Sequence, residues 1–115
     1  MSFETHTRED LLWLSSSVLD GQAVRHGFST RLGGVSPAPW DSLNLGLSRG
    51  DCTENLRENY RRFCAAVGTD WQRTVISQQT HSQNIRVVTQ ADAGKGIVCP
   101  RDYTDVDAMM TDVPG

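Results

Sequence analysis

The chain has 115 residues, of which 37% are hydrophobic, and a formal net charge of -3 with acidic and basic residues mixed along its length. That length suits one ordinary domain or a piece of a larger one. The absence of a basic patch argues against nucleic acid or an anionic membrane as the main partner. No apolar run approaches the roughly 20 residues that span a bilayer. The first residues lack the basic-then-apolar layout of a signal peptide, so a cytoplasmic location is expected.

In chain order, Leu11, Leu12, Leu14, Val18 and Leu19 have a loosely helical spacing, which predicts a short helix or mixed segment over residues 8–19. Residues 23–30 read as a strand ending before Gly33 and Gly34. Residues 31–50 form a long loop, a length uncommon in a compact domain unless functional. Its glycines would let backbone amides approach a ligand, and Arg31 offers a planar fork of donors for phosphate. Spacing alone favours an ordinary surface loop stiffened by Pro37 and Pro39.

The clearest element is a helix over residues 52–67. Leu56, Tyr60, Phe63, Cys64 and Val67 share one face. Asp51 is placed to cap the helix, with Glu54 completing a capping box, and Gly68 is placed to stop it. Its charged face reads as solvated. Beyond it, residues 74–79 are rich in β-branched side chains and predict a strand. Residues 80–84 make a polar connection, residues 85–89 a second strand, Gly94 to Gly96 a flexible break, and residues 105–110 a last strand. The mixed order predicts an α/β fold, with α+β as the alternative.

The three cysteines, Cys52, Cys64 and Cys99, are odd in number and form no C-x-x-C pair. They read as reduced, buried structural thiols. Of the three histidines, His6 lies in a terminal segment expected to be mobile and without a role. His26 reads as a partly buried structural histidine. His81 lies in the polar turn, where neutral imidazole suits a metal or general-base role. A catalytic zinc needs three protein ligands and an open position, and residue spacing alone does not supply them here. There is no G-x-S-x-G elbow, P-loop or G-x-G-x-x-G fingerprint.

Four segments, in order, resemble the N-terminal portion of the bacterial YfiH/YlmD-type family, whose members carry both multicopper polyphenol oxidase or laccase labels and the label purine nucleoside phosphorylase. They are His26-Gly27-Phe28-Ser29-Thr30-Arg31-Leu32-Gly33-Gly34-Val35-Ser36, then Ser42-Leu43-Asn44-Leu45-Gly46, then Gln79-Thr80-His81-Ser82, then Asp107-Ala108-Met109-Met110-Thr111-Asp112-Val113-Pro114-Gly115. The resemblance runs from about residue 23 to 115. It implies the N-terminal part of a single mixed-sheet catalytic domain about twice this length, so residues 1–115 are expected to be a fragment, inactive by itself.

The resemblance further implies a zinc held by a histidine in a Gln-x-His-Gly turn, a cysteine and a second histidine. Only the first maps here, onto His81, followed by Ser82 where the family has Gly. Cys52, Cys64 and Cys99 do not match the ligand cysteine. The implied activity is phosphorolysis of adenosine, inosine and related purine nucleosides, with adenosine deamination. Copper-dependent polyphenol oxidation and amide hydrolysis on a cell-wall precursor are the alternatives. Arg31 is the expected phosphate clamp, Asn44 a substrate hydrogen-bonding residue and Ser29 a pocket-lining residue. Oligomeric state is left open.

Overall fold

The computed structural model describes residues 2–115. The chain divides into two compact units, one ending at Thr69 and one running Asp70–Gly115. Helix and strand are mixed, as expected. Among the described residues, no helix is long and apolar enough to cross a membrane.

The first unit carries an antiparallel sheet of β1 (Phe3–Arg8), β2 (Leu11–Ser16) and β3 (Phe28–Ser29), in that order. Of the short helix or mixed segment expected over residues 8–19, residues 11–16 are strand and Ser17–Leu19 form a turn of 3-10 helix. Glu9, at φ 57, and Asp10 turn the chain back so that Arg8 pairs with Leu11 and Phe3 with Ser16. β2 has apolar side chains on both faces, and such a short run does not distinguish strand from helix by periodicity. His6 is likewise not in a loose terminus. Its Nε2 lies 2.7 Å from Ser15 Oγ and its ring stacks on Trp13. The strand expected over residues 23–30 shortens to two residues, where Leu14 pairs with Phe28 and Trp13 with Ser29.

The helix α1 (Thr53–Val67) follows the sequence reading closely. Leu56 and Cys64 are buried on its inner face, and Phe63 and Val67 approach Gly27 so nearly that a Cβ there would meet Val67 Cγ2 at 2.8 Å. Gly68 ends the helix at φ 92, in the left-handed conformation that glycine adopts without strain. The capping box does not form. Cys52 is the N-cap, without a side-chain bond, and Asp51, one residue earlier, meets the first turn through Asn55 Nδ2 at 3.4 Å rather than through a first-turn amide. Asp51 accepts instead from Ser36 Oγ at 2.5 Å, Asn44 Nδ2 at 3.2 Å and the Cys52 amide at 2.8 Å. On the outer face Glu58 takes both Arg61 and Arg62, and Arg62 also donates to the Gly33 carbonyl.

The second unit pairs β4 (Ile85–Val87) in parallel with β5 (Ala108–Met110). Both fall within the strands expected from sequence. The strand expected over 74–79 is absent apart from a single bridge, Gln78 to Val106. The backbone groups of this segment are used otherwise. The Ile76 amide donates to the Lys95 carbonyl, while Tyr103 Oη and Arg101 Nη1 donate to the carbonyls of Ile76 and Ser77. β-branched content favoured extension; loop and side-chain partners took the place of a ladder. None of the three cysteines forms a disulfide, but only Cys64 is buried; Cys52 and Cys99 are exposed, against expectation.

The second unit is held by a buried carboxylate, Asp92. It accepts from Lys95 Nζ at 2.7 Å, Arg86 Nη2 at 2.8 Å and the Thr89 amide at 3.0 Å. The Lys95 ammonium first, then the Thr89 N–H and the Arg86 guanidinium, hold its carboxyl far below the usual carboxylate range. A depressed folded value gives stability that is fully present above the unfolded value of about 3.9 and is lost as pH falls toward the folded one. Between about pH 5 and pH 2, the melting temperature of the wild type is therefore expected to fall more steeply than that of Asp92→Asn. Parallel melting curves for the two proteins would contradict this role.

Candidate functional site

His81 lies in the turn between Gln79 and Asn84, at φ 64. A left-handed backbone is uncommon for a residue with a Cβ and needs support from its surroundings. That support comes from Asp107, just before β5. Its Oδ1 accepts from the Thr80 amide at 2.8 Å and from Ser82 Oγ at 3.0 Å, and its Oδ2 accepts from the His81 amide at 3.0 Å. These donors, the Thr80 amide foremost, hold the Asp107 carboxyl down to about 2. Asp105 braces the same turn, accepting from Thr80 Oγ1 and, at 3.0 Å, from Asn84 Nδ2.

The consequence is an exposed imidazole on a fixed backbone. Among the described residues the His81 ring has no hydrogen-bond partner. The other two histidines are committed. His6 Nε2 meets Ser15, and His26 Nε2 accepts from the Ser16 amide at 2.9 Å, which bears out the structural reading of His26.

The other expected site residues lie in the first unit. Ser29, Arg31 and Asn44 line one open concavity, together with Trp40, Leu43 and Arg49. The Arg31 carbonyl accepts from the amides of Ser42 and Leu43, each at 2.8 Å, so its backbone is pinned to the Ser42-Leu43-Asn44 segment. Among the described residues, the guanidinium itself has no hydrogen-bond or ion-pair partner. Asn44 is more committed: Oδ1 accepts from the Gly46 amide at 3.0 Å and Nδ2 donates to Asp51. One amide hydrogen is left for another acceptor. Trp40 Nε1 donates to the Arg49 carbonyl at 2.9 Å, tying the middle of the loop to its far end.

Two residues that matter here escaped the sequence reading. Asp107 was visible only as the first residue of a resembling segment. Asn59 is 0% exposed, the most completely buried side chain described. Its Oδ1 accepts from the Val35 amide at 2.9 Å, and its Nδ2 donates to Ser36 Oγ at 2.9 Å and the Asn44 carbonyl at 2.8 Å. It thereby fastens α1 to both arms of the Arg31 loop. A signal for it existed: position 59 lies three residues after Leu56 and four before Phe63, on the apolar stripe.

Three or more histidine, cysteine or carboxylate groups placed to share a metal ion do not occur among the described residues. These residues therefore do not fit a complete zinc centre; His81 fits one ligand position of such a centre.

Comparison with known proteins places these features in a family. The chain is 41% identical over 77 residues to purine nucleoside phosphorylase YlmD of Bacillus subtilis, an alignment covering 67% of this chain and 28% of the relative. It is 43% identical over 87 residues to purine nucleoside phosphorylase YfiH of Escherichia coli, covering 76% of this chain and 32% of the relative. The chain thus spans about a third of the length of these relatives. Its fold matches the crystal structure of YlmD from Geobacillus stearothermophilus with a TM-score of 0.74 at 30% identity, over 96% of this chain and 40% of that one. It matches Bacillus licheniformis hypothetical protein YfiH with a TM-score of 0.75 at 27% identity, over the same shares. Residues 25–115 match the family described as multi-copper polyphenol oxidoreductase laccase, and the chain belongs to that family.

Proposed function

We propose that the whole protein is a zinc-dependent purine nucleoside phosphorylase with adenosine deaminase activity, to which this chain contributes one metal ligand, His81, and a phosphate-holding loop around Arg31. The observation that carries this reading is the His81 imidazole, exposed and uncommitted on a turn whose backbone is fixed by Asp107. The names of the relatives supply the substrate class, purine nucleoside and phosphate.

In phosphorolysis a phosphate oxygen attacks the anomeric carbon, the bond from that carbon to the purine nitrogen breaks, and the purine leaves with a proton. The protein must hold a dianion against the sugar. Arg31 suits this, because a planar guanidinium binds phosphate oxygens in pairs and its backbone position is set by three bonds to its carbonyl, from the two amides and Ser42 Oγ. Arg49 adds a second positive charge to the same concavity, and Ser29 a hydroxyl. A zinc ion, when bound, supplies Lewis-acid polarisation and a water acidic enough to react near neutral pH, which suits deamination. Copper chemistry of the multicopper kind calls for several free imidazoles. His6 and His26 have Nε2 engaged, and among the described residues His81 is the imidazole with neither ring nitrogen in a hydrogen bond.

The test is turnover of adenosine with inorganic phosphate by the whole protein, followed as adenine and ribose 1-phosphate, with inosine measured in parallel. His81→Ala is expected to reduce both to background. His81→Asn is expected to do the same while changing fold stability by no more than about 0.5 kcal/mol, since the site is exposed and Asn tolerates the left-handed backbone. Full turnover in either variant, or copper rather than zinc in protein purified without added metal, would overturn the reading.

A further inference from the structure

The Asp107 carboxylate accepts three hydrogen bonds, and all of them come from one turn. Thr80 N–H, His81 N–H and Ser82 Oγ–H converge on it at 2.8, 3.0 and 3.0 Å. The bonds cross 25 to 27 residues of sequence, so they hold the turn to the start of β5 rather than to itself. β5 is in turn fixed in register against β4, with Ile85 opposite Ala108. The Asp107 amide donates to the Asn84 carbonyl at 3.1 Å, which fixes Asp107 from its other side. The chain of support runs from the β4–β5 pair, through Asp107, to the backbone of the residue that presents an exposed imidazole.

The left-handed conformation at His81 adds the second observation. A histidine gains nothing locally from φ 64, and a less costly extended or helical backbone would point its side chain elsewhere. The bond to Asp107 Oδ2 is made by the amide of that same residue. Breaking it would release the constraint made at the histidine's own amide.

We propose that Asp107 is the positioning residue of the metal site: its carboxylate holds the 80–82 turn in its left-handed form and so presents His81 to the metal. This rests on the reading of His81 as a ligand. Both Asp107 oxygens are taken up by the turn, so the residue is placed to support a ligand rather than to be one.

Asp107→Asn separates the two claims. The variant keeps an acceptor for Thr80 and Ser82, but its amide nitrogen would face the His81 N–H, donor against donor. In the whole protein, zinc affinity measured by competition with a chromogenic chelator is expected to fall about 10- to 100-fold, the usual cost of losing support behind a ligand. The visible absorption of the cobalt-substituted protein is expected to change in shape as well as in amount. His81→Ala is expected to lose more affinity than Asp107→Asn, and Ser82→Ala less, because the serine hydroxyl does not hold the His81 amide. Wild-type affinity and spectrum in Asp107→Asn, beside a loss in His81→Ala, would overturn the positioning role and leave the ligand reading standing. Wild-type affinity in His81→Ala would overturn the ligand reading itself.

A measurement on the unaltered, metal-free protein decides the matter even if Asp107→Asn does not fold. The Thr80 and His81 amides lie on an exposed turn, yet hydrogen exchange at both is expected to be slowed at least tenfold relative to a free peptide. Exchange at the free-peptide rate would overturn the proposal.

Discussion

Gly34→Ala is expected to be among the most damaging single-methyl changes in the first unit. A Cβ at this position would overlap the Ser42 carbonyl oxygen and the Leu43 Cα. Both are backbone atoms, so no side chain can swing aside. They are also committed atoms, since the Ser42 carbonyl accepts from the Ser36 amide and the Leu43 amide donates to the Arg31 carbonyl. Relief requires the two arms of the loop to separate, which breaks these bonds and those of Gly34 N–H to Ser42 Oγ at 3.0 Å. A cost of about 3 kcal/mol or more follows, a melting temperature lower by roughly 12 °C or more. Gly33→Ala is a control of a different kind. Its φ of 96 and the overlap of a new Cβ with Leu11 combine strain and collision, so it should be at least as harmful. A Gly34→Ala protein that melts within two or three degrees of wild type would show that the loop is not packed this closely.

The position of these glycines was legible in the sequence, but the reason for them was not. Gly33 and Gly34 stood out as punctuation after a strand and suggested backbone approach to a ligand. The approaches observed are of Gly34 to the other loop arm and of Gly33 to Leu11 of β2, which no local pattern encodes. The same division runs through the fold. α1 was readable because Leu56, Tyr60, Phe63 and Cys64 repeat at helical spacing and Gly68 follows. β2 was not, because Leu11 to Leu14 present apolar groups to both faces and the pairing with β1 decides their conformation. Residues 74–79 failed in the opposite sense. Their β-branched side chains favour extension, but strand formation needs a partner, and Tyr103, Arg101 and the residue 94–95 turn claim the backbone instead. At the site, His81 was legible only through the motif around it. Its clamp was not, because Asp107 lies 26 residues away and an aspartate before a strand carries no local signature.

Replacing Asn59 is expected to be as severe as any change in α1, and its variants should differ in an informative way. Asn59→Leu fills similar volume but removes both ends of the amide. Ser36 Oγ keeps its bond to Asp51, so it tolerates the loss. The Val35 N–H and the Asn44 carbonyl lose the partner that the fully buried Asn59 gives them. Two stranded buried groups cost about 3–4 kcal/mol together. Asn59→Asp is nearly isosteric and keeps an acceptor for Val35. Its second oxygen, however, would face the Asn44 carbonyl and a Ser36 hydroxyl whose proton is already given to Asp51. Near neutral pH it should therefore be no more stable than the leucine variant. Burial and the Asp51 charge would raise the introduced carboxyl's proton affinity, so the protonated form, with its O–H aimed at Asn44, becomes available on mild acidification. The melting temperature of Asn59→Asp is expected to rise relative to that of Asn59→Leu as pH falls from about 7 to 5. A constant difference between the two would mean that water reaches this site. Both variants should also loosen the Val35–Ser36 and Asn44 arms that flank Arg31; under the proposed role of Arg31 as phosphate clamp, the whole protein's KM for phosphate should rise before turnover is lost.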